Sequence, residues 1–153
     1  MIKIWIKRNL YVKLIDFTME FMPNETGGML LGYTSQEGDL VLSNIIGPGP
    51  KAVHLNNYFL PDGDYQQKKL TNLFNKSGGA VSYLGDWHSH PFNNSYVSQL
   101  DFKTLKEIAF CPTSGTQNPI ILILGTDPLD IKCWMYSNDS KSEIEDVLIR
   151  IWD

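Results

Sequence analysis

Cysteine is scarce in this chain of 153 residues, with Cys111 and Cys133 the only two. They lie far apart and in no Cys-x-x-Cys pair, which excludes a disulfide framework and makes both expected as buried free thiols in a reducing cytosol. No run of Lys or Arg occurs, and the formal net charge is −4. That balance argues against nucleic acid as a partner, because phosphate binding needs a basic surface. Nor is there an apolar run approaching the roughly 20 residues of a membrane helix. The first eight residues, MIKIWIKR, alternate apolar with polar and lead into no continuous apolar stretch, unlike a secretory signal. These absences together place the protein in the cytoplasm and away from membranes. Internal repeats, linkers and low-complexity segments are missing as well, so residues 1–153 read as a single domain.

The composition present is that of an ordinary soluble protein, 42% hydrophobic, 12% aromatic and 20% charged. A chain of this size buries roughly 70% of the surface its unfolded form exposes, enough for a core without staples. Ile2, Ile4 and Ile6 alternate with polar neighbours and predict a short strand near a sheet edge. Leu10, Leu14, Phe17 and Phe21 recur at helical spacing, and Pro23 closes that helix. Met29–Tyr33 and Leu40–Ile46, separated by the turn residues 36–39, predict a hairpin. Gly47-Pro48-Gly49-Pro50 is loop. A short strand over 57–60 precedes a helix that runs from the turn at 61–64 to about Lys76 and is ended by Gly78-Gly79. A buried strand is expected from Ala80 to His88, a loop over 92–97 and a helix from Ser98 to about Phe110. Strands follow at 120–124 and 131–136, and an amphipathic helix at 142–152. Helices interleaved with hairpin-connected strands predict an α/β (α+β) fold, a mixed sheet with helices packed against it.

The chemistry concentrates in Trp87-His88-Ser89-His90-Pro91 and, downstream, Ser98 and Asp101. Alternate strand residues face one way, so His88 and His90 can converge on one ion while Trp87 and Ser89 turn to the opposite face. A short loop and the start of a helix can fold the Asp101 carboxylate back toward them. Three protein ligands leave a position for water, the arrangement of a catalytic rather than a structural zinc. The donor set suits zinc and does not strictly exclude iron or manganese. Ser98-x-x-Asp101 is also a variant of the capping box, so Ser98 can cap a helix and aim its hydroxyl at the site. Hydrolysis needs a base as well, and Glu25 is the candidate, because the adjoining Gly27-Gly28 permits close backbone approach. Asp86 shares the parity of the two histidines and stands as an acceptor for an imidazole N–H, a rival ligand or a carboxylate with no metal role. His54 is an ordinary surface or half-buried residue or a substrate contact. Asn93 and Asn94 are turn formers.

The pattern His88-Ser89-His90-Pro91, six residues, Ser98, two residues, Asp101, with Glu25 upstream, resembles the JAMM motif of the JAB/MPN metalloproteases. The resemblance implies a mixed β-sheet flanked by helices, of the layered kind seen in cytidine deaminases. It implies Zn2+ on His88, His90 and Asp101, Glu25 as general acid/base, and Ser98 stabilising the oxyanion. The implied activity is cleavage of isopeptide or peptide bonds next to ubiquitin-like proteins. Glu25-Thr26-Gly27-Gly28-x-Leu30, the segment 47–50, and Ala52, His54, Phe59, Pro61 and Asp62 are similar to the prokaryotic branch. Its members accompany E1- and E2-like enzymes, including in CBASS anti-phage operons, where the JAB protein frees a conjugated cyclic-nucleotide synthase from its target. The six-residue spacing after Pro91 leaves little room for the insertions by which eukaryotic deubiquitinases grip ubiquitin. A non-catalytic MPN-like scaffold and a zinc hydrolase that trims a sulfur-carrier protein are the alternative expectations.

Overall fold

A computed structural model describes residues 1–139 and 141–153. Its strands are β1 (Lys3–Lys7), β2 (Gly27–Thr34), β3 (Leu40–Ile46), β4 (Val53–Leu55), β5 (Tyr58–Leu60), β6 (Ser82–His90), β7 (Ile120–Thr126), β8 (Leu129–Tyr136) and β9 (Ile144–Trp152). Helix α1 (Arg8–Phe21) follows β1, α2 (Gly63–Lys76) precedes β6, and α3 (Gln99–Phe110) links β6 to β7. Seven strands form a mixed sheet in the order β1-β3-β2-β6-β7-β8-β9, which closes into a barrel through the parallel β1–β9 pair. Among the described residues β4 and β5 pair only with each other, as a separate hairpin.

The expected α/β class, with a mixed sheet and helices against it, is what forms. Two local expectations are corrected. Residues 144–152 are strand, not helix. Val147 is buried, and Ile149 and Ile151 pack against the same core, which is a period of two made of β-branched side chains. β1 is not at an edge either. It lies between β3 and β9, with Ile4 opposite Leu40 on one side and Ile149 on the other. The strand β4 was not anticipated, and Cys111 is exposed whereas Cys133 is buried.

The sheet separates two cores. Ile120, Leu122 and Leu124 of β7 join a cluster with Ile4, Ile6, Leu30, Trp87 and Leu14 of α1. Ile121 and Ile123, of opposite parity, join Leu105 of α3, Trp134 and Tyr136. β7 is therefore apolar on both faces, as a parallel-paired central strand must be. In the parallel β6–β7 register His88 lies opposite Ile123 and Trp87 opposite Leu122. The histidines thus share the face on which α3 packs, and the sheet parity that buries Trp87 delivers them to that side.

Candidate metal centre and active site

β6 runs through both histidines, so the strand itself spaces them. Trp87 and Ser89 are buried on the other face at 1% and 0% exposure. The Nε2 atoms of His88 and His90 stand 3.0 Å apart. Asp101 reaches both rings, Oδ1 at 2.8 Å from His88 Nε2 and Oδ2 at 3.2 Å from His90 Nε2. The Nδ1 of His90 lies 3.1 Å from the Asn94 carbonyl. A proton on Nδ1 donates to that oxygen and leaves the Nε2 lone pair directed at the group. Asn94 was read only as a turn former, and its backbone carbonyl orients the His90 ring.

Asp101 is delivered by helix chemistry. The Ser98 Oγ accepts from the Asp101 amide at 3.1 Å, and the Asp101 Oδ2 accepts from the Ser98 amide at 2.8 Å, a reciprocal capping box. The box holds the carboxylate at the N-terminus of α3 and leaves the Ser98 O–H free to donate elsewhere. Burial opposes the charge on Asp101, but hydrogen bonds from His88, His90 and the Ser98 amide outweigh it and hold the carboxyl well below the usual carboxylate range. Burial likewise opposes a charge on His90, and Asp101, above all by its hydrogen bond, overrides it and raises the imidazole.

The donor set fits a metal ion. Among the described residues, His88, His90 and Asp101 bring three ligand atoms within 4.8 Å of one another. Two ligands at zinc distances around a tetrahedral ion stand roughly 3.3 Å apart, close to the separations found here. Two imidazole nitrogens and one carboxylate are borderline-to-hard donors that match zinc.

Glu25 and Ser98 line the same cavity as the three donors, a space of about 570 Å³. Burial raises the Glu25 carboxyl above its ordinary value, against the opposing pull of His88 and His90. Its approach to β6 depends on Gly27 and Gly28, paired with His88 and Trp87. A Cβ on Gly27 would fall 2.5 Å from the Trp87 carbonyl oxygen and 2.9 Å from the His88 Cβ, and one on Gly28 would collide with the Ile46 carbonyl. Asp86 also lines the cavity but stands outside the ligand group, accepting instead from the Tyr83 hydroxyl at 2.7 Å. Burial pushes its carboxyl up.

Tyr58, Phe59, Asn56 and Asn57 of the β4–β5 hairpin form one wall, and Leu100 and Thr104 of α3 another. Phe59 belongs to the segment that resembles the prokaryotic branch, whereas no motif pointed to Asn56, Asn57, Tyr58, Leu100 or Thr104, whose role comes from a hairpin and a helix folding against the site rather than from spacing. Phe92, Tyr96 and Leu100 are 68%, 62% and 65% exposed.

A family model described as prokaryotic homologs of the JAB domain matches residues 7–137. A probable metalloprotease of Sinorhizobium fredii is 29% identical over 126 residues, covering 82% of this chain and 77% of that protein. A CD-NTase/cGAS isopeptidase of Escherichia coli is 33% identical over 84 residues, 55% of this chain and 53% of the relative. One from Vibrio cholerae is 30% identical over 97 residues, 63% of this chain and 62% of the relative. The chain thus aligns with little more than half the length of these isopeptidases. The solution structure of a Desulfitobacterium hafniense protein shares the fold, with a TM-score of 0.73 at 20% identity over 98% of this chain and 93% of that one.

Proposed function

From the premise that this chain belongs to the prokaryotic JAB family and is a peptidase or isopeptidase of it, we propose that it is a zinc-dependent deconjugase. Its substrate is a protein, of the ubiquitin-like or CD-NTase kind, joined by an isopeptide bond to a target lysine. The observation that carries this reading is the convergence of His88, His90 and Asp101 in one cavity with Glu25 and Ser98.

His88, His90 and Asp101 would hold the zinc. When bound there, zinc supplies Lewis acidity, polarising a carbonyl oxygen and lowering the pKa of water at the site to about 7. Glu25 takes a proton from the attacking water and gives it to the departing lysine amine, as the C–N bond breaks and a C–O bond forms. Burial raises its carboxyl above its ordinary value, which makes it a stronger base for the first transfer. Ser98 donates its free O–H to the oxygen that gains charge, a contact that strengthens in the transition state and therefore accelerates the reaction. Leu100 of one wall and the hairpin residues Tyr58 and Phe59 of the other suit a polypeptide, which offers apolar side chains to both walls. E1- and E2-like enzymes are the class of catalyst that would form the bond cut here.

The test is incubation of a CD-NTase, isopeptide-linked to a lysine of a carrier protein, with zinc-loaded protein. The wild type should release free CD-NTase. Glu25→Gln should keep about one zinc per chain yet cleave about 100- to 10,000-fold more slowly, and His88→Ala should lose the metal. Cleavage by Glu25→Gln at the wild-type rate would refute the role of Glu25. An intact conjugate after incubation with the zinc-loaded wild type would refute the substrate.

A further inference from the structure

Glu25 lies in the loop between α1 and β2, where no strand ladder holds it. Its backbone is nonetheless anchored at both peptide groups by consecutive residues of β4. The Glu25 amide donates to the Leu55 carbonyl at 2.7 Å. The Glu25 carbonyl oxygen lies 2.9 Å from the Nδ1 of His54, which as N–H donates to it. The next residue is gripped from the opposite side. The Thr26 amide donates to the Ser89 Oγ at 3.0 Å, and the Ser89 amide donates to the Thr26 carbonyl at 2.9 Å. Ser89 is the residue between the two histidines, so β6 holds the loop on one side and β4 on the other.

The β4 side is the weaker one. A two-stranded hairpin is marginal by itself, and β4 and β5 pair with no other strand. Ring packing fastens it to the body. His54 stacks on Phe21, the last residue of α1, with centroids 3.8 Å apart and planes 11° from parallel. Its other neighbour is Phe59, at 5.4 Å, a wall residue of the cavity. One imidazole therefore ties together the end of α1, the cavity wall and the peptide that carries Glu25.

We propose that His54 is a positioning residue for Glu25: its Nδ1–H fixes the Glu25 carbonyl, and with it the direction in which the carboxyl enters the cavity. This rests on the general acid/base role proposed for Glu25. The physical reason for an effect on rate is steep geometric dependence. Catalytic groups work within about 0.5 Å of the productive geometry, and two anchored peptide groups set the torsions that aim the side chain.

Two substitutions separate the hydrogen bond from the packing. His54→Phe keeps a ring to stack on Phe21 and removes the donor. His54→Asn keeps a donor near the place of Nδ1 and removes the ring. With the isopeptide-linked CD-NTase, His54→Phe should lower kcat about 10- to 100-fold with KM within about two-fold, at unchanged zinc content, and His54→Asn should recover most of kcat. A wild-type kcat in His54→Phe, a loss carried by KM alone, or a His54→Asn variant as slow as His54→Phe would each overturn the proposal. Amide hydrogen exchange supplies a readout independent of turnover. The Glu25 amide should lose protection in His54→Phe and regain it in His54→Asn while the amides of β6 and β7 stay protected. Unchanged protection at Glu25 overturns the proposal as well. If the wild type leaves the conjugate intact, the substrate reading fails and the exchange comparison still decides the role of His54.

Discussion

His90 and Asp101 set each other's charge, and that sets how protons compete with a metal. Burial disfavours charge on His90, but the Asp101 carboxylate outweighs it, so without metal the imidazole keeps its proton to a pH above its ordinary 6.5. A metal ligand must be deprotonated, so binding below the raised His90 value has to expel that proton. Apparent zinc affinity should therefore rise with pH, flatten only above the raised His90 value, and fall steadily on acidification. Calorimetric zinc titration at several pH values, in buffers of different ionisation enthalpy, would count the proton released. A pH-independent affinity between pH 6 and 8, the range around the ordinary imidazole value, would contradict this account. The cluster of His88, His90 and Asp101 was legible in the sequence because its geometry is local. Two residues on a strand point alike, and a Ser-x-x-Asp capping box places a carboxylate at a known turn of a helix. His54 was not legible as a Glu25 contact, since its partner is a backbone carbonyl 29 residues away. A carbonyl has no residue type to read.

β9 shows how two periodicities compete. Residues 142–152 carry apolar positions that can be threaded onto a helix face, and they form a strand. Val147, Ile149 and Ile151 are β-branched and lose rotamer freedom in a helix, whereas on a pleated surface they pack side by side. The decisive term is pairing. β9 takes β8 on one side and β1 on the other, with Ile149 opposite Ile4 and Ile151 opposite Ile6. Val147→Ala discriminates between the two states. In an exposed amphipathic helix alanine is favourable by propensity, whereas in the barrel it removes a buried isopropyl group. Unfolding in urea should show a loss of about 2 kcal/mol, and a stabilised variant would contradict the strand. The hairpin of β4 and β5 was half visible for a related reason. Three-residue strands carry too little pattern to distinguish from loop.

The whole molecule is built so that the three donors that could hold a metal come from two elements that meet only in the folded state. β6 supplies both histidines and α3 supplies Asp101, while Glu25 arrives from the loop after α1. Metal bound to this set favours the folded chain by mass action, by about 2.7 kcal/mol at a free concentration 100 times the dissociation constant. For a chain of this size that should raise Tm by about 5–10 °C, which scanning calorimetry with added zinc and then with excess chelator would measure. An unchanged Tm would mean that the three donors do not bind the ion together. Residue type and short-range spacing were enough to identify His88, His90, Ser98 and Asp101 as candidates, because strand parity and helix capping act over a few residues, and Glu25 joined them through the adjoining Gly27-Gly28 and the motif that implies the family. Closure of the barrel through β1 and β9, the burial that raises Glu25 and the grip of His54 on its carbonyl came only with the folded chain. Those features join segments as far apart as Lys3 and Leu148, and such pairings are chosen by the total surface they bury rather than by any local pattern.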